Sequence, residues 1–147
     1  MIVGYTTGVF DLFHVGHARI LKNARALCDR LIVGVSTDEL VWDYKQKKPV
    51  IPFNERLEVV ASNRYCDVAV AQVNRDKMEA WQRYKFQRMF VGDDWFKSDK
   101  WQGLDKKFED LGVEIVYFPY TKSTSSSMIT NTLIDLREKA MQEALKK

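Results

Sequence analysis

Histidine and cysteine are scarce in this chain, with two of each in 147 residues. Two cysteines, Cys28 and Cys66, are too few for a zinc site by themselves and allow at most one disulfide; they read as reduced, partly buried thiols of a cytoplasmic protein. No apolar run approaches the ~20 residues of a membrane span. "MIVGYTTGVF" (1–10) is apolar but lacks the charged start of a signal peptide. Charge of one sign is also in short supply. The net charge is +3 with a pI near 8.8, and the basic residues are spread along the chain rather than gathered into a stripe. Neither a nucleic-acid nor a membrane partner is expected, while small anionic ligands fit that balance. With only seven glycines and three prolines there is no low-complexity linker, and no internal repeat is visible.

What is present is a globular pattern. Hydrophobic residues make up 46% and aromatics 12%, which excludes a disordered chain, and the length suits one domain around one core. Short β-rich runs alternate with helical periodicity. Strands are expected at 2–8, 30–37, 67–73, 89–94 and 113–119. Helices are expected at 11–27, 52–63, 77–86, 99–112 and from Ser125 onward. "RLIVGVST" (30–37) is continuously apolar, as in a strand covered on both faces. The alternation predicts an α/β fold: a Rossmann-like, doubly wound parallel sheet of about five strands in a single domain. Ligands of such folds bind beyond the carboxyl ends of the strands. Segments 8–17, 36–56, 92–95 and 119–127 fall there.

Both histidines of the chain, His14 and His17, stand in the first of these segments, with Val15 and Gly16 between them. Gly8 ends the strand and allows close backbone approach to a ligand. Asp11 is read as the cap of the helix that follows. A helix N-terminus with free N–H groups is an anion site, and two imidazoles there can donate to phosphate oxygens. Two histidines three apart are also half of a metal site, but there is no third histidine, and Cys28 lies about three turns further along. "KQKK" (45–48) would by itself be a solvated basic loop; next to such a turn it reads as phosphate-binding. Asp93 and Asp94 offer one helix cap and one group for ribose hydroxyls, substrate or magnesium. Trp95 and Trp101 are either core or a wall of the acceptor pocket.

"GVFDLFHVGH" (8–17) resembles the HxGH signature of the nucleotidyltransferase superfamily, in its cytidylyltransferase branch. The resemblance extends over nearly the whole chain and is strongest to the glycerol-3-phosphate cytidylyltransferase family. "STDEL" (36–40), "KQKKP" (45–49), "NERLEVV" (54–60), "RYCDVAV" (64–70) and "GDDW" (92–95) each resemble a segment of that family. One segment departs: where the family has "RTxGxST", this chain has "YTKSTSSS" (120–127), with Tyr120 in place of the arginine and Ser123 in place of the glycine. Lys122 keeps a positive charge there but not a bidentate fork.

The resemblance implies transfer of CMP from CTP to a phosphorylated small alcohol, with Mg²⁺ accompanying the CTP. It implies His14, His17 and Lys45 as catalytic residues. It implies nucleotide contacts from Gly8, Val9, Phe10, Asp11, His14, His17, Gly92, Asp94, Ser125, Ser126 and Ser127. Lys45, Lys47, Arg56 and Lys122 are implied at the substrate phosphates; no metal ligand is assigned. It further implies a homodimer meeting at "RYCDVAV", with residues 1–130 as the catalytic domain and 131–147 as a helical extension. An adenylyltransferase of the same fold and a nucleotide-binding protein without turnover stand as alternatives.

Overall fold

The computed structural model describes residues 1–92, 99–119 and 126–146, of which 99–102 and 126–127 are described as helix only. The elements run β1 (Val3–Gly8), α1 (Val15–Ala26), β2 (Arg30–Ser36), α2 (Asp38–Lys45), α3 (Phe53–Ala61), β3 (Val68–Gln72), α4 (Lys77–Tyr84), β4 (Arg88–Gly92), α5 (Asp99–Asp110), β5 (Glu114–Phe118) and α6 (Ser126–Leu145). The five strands form one sheet in the order β3-β2-β1-β4-β5, and every pairing is parallel. The chain therefore winds outward from β1 in one direction, then returns past it to β4. Where the winding reverses, between β1 and β4, neither following helix covers the strand ends, which leaves a crevice.

β2 explains why the sheet sits where it does. All of Leu31–Ser36 is buried, because its alternate side chains face two separate cores. Leu31, Val33 and Val35 pack with Leu21 and Ala24 of α1 and Val60 of α3. Ile32 faces the other side, where Tyr5, Phe86, Met89 and Phe108 pack. Cys28 and Cys66 are both free thiols, the first buried within the α1/α3 core and the second half-buried against it.

The expected strands and helices are present, with ends shifted by one or two residues, except in two places. The first helix starts at Val15 rather than at Asp11. Phe10 and Leu12 adopt left-handed backbone (φ 54° and 50°), which no helix accommodates. The second difference is an additional helix, α2, inside the segment read as a loop. Thr37 caps it, its side chain accepting from Leu40 N–H, and Asp38 and Glu39 stand in its first turn. Downstream, α6 is one uninterrupted helix, so the expected division at 130/131 falls inside it.

Candidate active site

A cleft of about 660 Å³ opens beyond the carboxyl ends of β1, β2 and β3. A smaller hollow of about 130 Å³ continues between β1 and β4, walled by Phe90, Val91 and Phe118. His17, Gly8 and Gly92 line both. The cleft thus lies at the reversal of strand order, where the topology predicts a ligand.

Its floor is the turn from Gly8 to His17. A side chain at Gly8 would meet the Phe10 ring, 3.0 Å from where its Cβ would stand. Phe10 folds back over the strand end in left-handed backbone, a conformation costing roughly 1–2 kcal/mol for a side chain of this kind. Burial of the ring offsets that cost, since Phe10 belongs to the α1/α3 core. His14 is then extended and becomes the true N-cap of α1. Gly16 N–H donates to His14 Nδ1 at 3.0 Å, and His14 N–H donates to His17 Nδ1 at 3.3 Å. The pair forms a capping box from two imidazoles, whose rings stack at 3.9 Å.

That geometry fixes the tautomers. A backbone N–H can only donate, so both Nδ1 atoms are acceptors and the ring proton of each neutral histidine sits on Nε2. Burial lowers the His14 pKa. Burial, followed by the neighbouring His14, pushes His17 down to about 4, against a smaller opposing pull from Asp11. In the free protein both shifts favour the neutral imidazole at pH 7, which leaves each ring a single N–H to offer. His17 lines the cleft, while His14 stacks on its ring.

Asp11 does not cap α1. Its carboxylate accepts from the N–H groups of Val50 and Ile51 at 2.8 and 2.9 Å, tying the end of the basic loop to the histidine turn. Arg56 completes the tie from below. It is 1% exposed; its Nε donates to Ile51 O, its Nη1 to Val9 O and Ser36 O, and its Nη2 to the Asp38 carboxylate, all within 2.8 Å. The expectation that Arg56 contacts a substrate phosphate is therefore replaced: its guanidinium is spent on three carbonyls and one carboxylate, and it does not line the cleft. It is a positioning residue that joins four chain segments.

The basic segment 45–48 borders the cleft through its three lysines. Lys45 is the last residue of α2, and Gln46 turns the chain in left-handed backbone, its side chain donating to Trp42 O and Asp43 O. Lys45, Lys47 and Lys48 all line the cleft. Burial, then Lys47 and Arg75, lower the Lys45 pKa, with Asp11 opposing. Val9, Phe10 and Asp11 also line it. Asp93, Asp94, Trp95, Tyr120, Lys122, Ser123 and Ser125 lie outside the described residues, and so do the side chains of Trp101, Ser126 and Ser127. From α6, Thr130 and Asn131 reach the cleft.

Sequence reasoning missed Arg75 and Lys77. Lys77 opens α4, is 5% exposed, and its Nζ donates to Thr7 Oγ1 at 2.8 Å. Burial, with Arg75 adding, pushes it down to about 8, so it keeps its proton at pH 7. The available signal was position: both follow β3 at the ligand end of the sheet, and Asp76 marks the helix start by accepting from Met78 and Glu79 N–H. Among the described residues no three His, Cys, Asp or Glu side chains cluster as a metal cage. A Mg²⁺ ion held chiefly by a ligand's phosphate oxygens and by waters needs no such cage.

The "RYCDVAV" stretch is engaged within the chain. Tyr65 and Cys66 pack on the α1/α3 core, while Asp67 pairs with Arg25 at 2.9 Å and accepts from Leu31 N–H. No helix among the described residues is long and apolar enough to cross a membrane.

Comparison with known proteins agrees with this geometry. Residues 5–134 match the model of the family described as cytidylyltransferase-like. The chain is 34% identical over 132 residues to glycerol-3-phosphate cytidylyltransferase of Bacillus subtilis strain 168, covering 89% of this chain and 96% of that one. It is 34% identical over 116 residues to FAD synthase of Pyrococcus horikoshii, covering 77% of each. A solved structure of the lipopolysaccharide core biosynthesis protein from Thermoplasma volcanium superposes with a TM-score of 0.68 at 30% identity, over 84% of this chain and 99% of that one.

Proposed function

The chain belongs to the cytidylyltransferase-like family of nucleotidyltransferases, and we propose that within it the protein transfers CMP from CTP to a phosphorylated small alcohol, releasing pyrophosphate. The observation that carries this reading is the histidine turn itself: a helix N-terminus and His17, its Nδ1 spent on the cap, lining a lysine-walled cleft at the strand-order reversal.

The acceptor phosphate brings its own charged oxygen, so no protein nucleophile is needed. That oxygen attacks the α-phosphorus in line; the P–O bond to the β-phosphate breaks and pyrophosphate leaves with the electron pair. Catalysis is then positioning and charge stabilisation. His17, with His14 stacked on it, donates to the oxygens that gain charge in this step. Lys45, Lys47 and Lys77 hold the acceptor phosphate and the polyphosphate. The turn's strained backbone, clamped by Asp11 and Arg56, keeps these donors in place before the nucleotide arrives. Mg²⁺ entering with the CTP would supply further neutralisation of the polyphosphate charge beside Lys45 and Lys47. Glycerol 3-phosphate is the acceptor that the Bacillus relative's name supports. The same reading has the protein working as a homodimer that meets along 64–70, which sedimentation of the free protein tests.

The function is tested by phosphorus NMR of the products. CTP, ATP, GTP and UTP are each incubated with Mg²⁺ and a panel of phosphorylated alcohols. Growth of a CDP-alcohol diphosphate signal with CTP is expected. A product only with ATP would replace this reading with adenylyl transfer, and nucleotide binding without any product would replace it with a regulatory protein.

A further inference from the structure

Arg75 follows β3, two strands away from the histidine turn that ends β1. With parallel strands ~4.8 Å apart, this sets the end of β3 roughly 10 Å from that of β1. Its guanidinium stacks over the Tyr44 ring at 4.7 Å, joining the end of α2 to the loop before α4, and both residues line the cleft. Lys45 and Lys77 flank it closely enough that its charge disfavours theirs.

Two consequences follow. A guanidinium anchored over a ring presents a planar fork of donors, a shape that matches carboxylate and polyol oxygens. The same stack covers the Tyr44 face with a cation, and an aromatic face is what would otherwise receive an ammonium group. A ligand whose phosphate meets Lys77 beside Thr7, with its carbon chain running outward along β2 and β3, brings its other end to Arg75.

We propose that Arg75, held against Tyr44, is the specificity residue that reads the non-phosphate end of the acceptor: it admits ends bearing hydroxyl or carboxylate oxygens and rejects ends bearing an ammonium. The proposal rests on the transfer reaction above and adds the class of acceptor. The rejection is electrostatic, since an ammonium would enter beside Arg75, Lys45 and Lys77.

The test compares glycerol 3-phosphate with phosphoethanolamine and phosphocholine, using the full chain, Arg75→Ala and Arg75→Glu. Turnover with CTP and Mg²⁺ is read together with calorimetric binding of each acceptor. The native chain should favour glycerol 3-phosphate by on the order of 10²-fold in kcat/KM. Arg75→Ala should lower that ratio about tenfold and Arg75→Glu further, through the acceptor KM, with the KM for CTP unchanged. A ratio that stays within twofold in Arg75→Glu, or a change confined to the KM for CTP, overturns the proposal. Absence of turnover with an Arg75-dependent binding preference for glycerol 3-phosphate overturns the transfer reaction but upholds this role of Arg75. Absence of both turnover and that binding preference overturns both.

Discussion

The histidine turn and the basic wall face one cleft and are built on opposite terms. The turn is half-buried, neutral and bonded to itself: each imidazole spends Nδ1 on the helix cap and keeps one N–H. The wall is a set of cations on long side chains, Lys45, Lys47, Lys48 and Arg75, bounded by the cap at Gln46 and the Asp11 clamp, with Arg75 and Lys45 both over the Tyr44 ring. Fixed neutral donors give geometry without a desolvation cost for charge; the cations add attraction at longer range. A polyphosphate site under the proposed reading uses both, and the contrast makes the two halves separable by experiment.

The largest expected effect is on what joins them. Arg56→Ala removes the guanidinium from Val9, Ser36 and Ile51 carbonyls and from Asp38, leaving buried acceptors unpaired. A loss of about 3–5 kcal/mol in unfolding free energy is expected from denaturant melts. A variant as stable as the native chain would mean the clamp is not structural. Next comes the floor. His17→Ala should lower kcat ~10²–10³-fold while its circular dichroism stays native. Native turnover in that variant would remove the histidine from the reaction.

The wall should respond differently. Lys45→Ala is expected to raise the KM for nucleotide about tenfold. Salt sharpens the distinction: exposed cations are screened within about 8–10 Å at moderate ionic strength, whereas a buried neutral donor is not. Nucleotide affinity should therefore fall with added salt in the native chain and in His17→Ala alike, with a shallower slope in Lys45→Ala. Equal slopes in all three would merge the two regions into one.

The smallest effect is on stability against pH. The His17 pKa falls from 6.5 in the open chain to about 4 in the fold, so between those values the unfolded chain binds more protons. Stability should decline as the pH is lowered from 6.5 toward 4, and His17→Gln should flatten that decline. An unchanged slope would contradict the buried, neutral imidazole.

The sheet was legible because burial on both faces leaves a continuous apolar run, as at Leu31–Val35, and amphipathic helices leave a periodic one. α2 was missed although its signals were present: a Thr37 cap, acidic residues behind it, and Leu40 and Val41 turned to the interior. The histidines' position at a strand–helix junction is local, and the structure has that junction with His14 as the cap of α1 and His17 lining the cleft. Asp11 and Arg56 were misread because Asp11's partners lie 39 and 40 residues away and Arg56's partners are scattered from 5 to 47 residues away, and no local pattern records such ties. Arg75 and Lys77 were missed for a related reason. A lysine at the start of a helix reads as solvated until the sheet shows that it faces Thr7.

The central claim is that this cleft moves a CMP group with His17 at the reacting phosphate. Pyrophosphate release is measured at pH 7 with Mg²⁺, CTP and glycerol 3-phosphate, for the native chain and His17→Ala side by side. Release by the native chain, reduced ~10²–10³-fold in the variant, is the predicted result. Equal release by both, or none from the native chain with CTP and any phosphorylated alcohol, would contradict it.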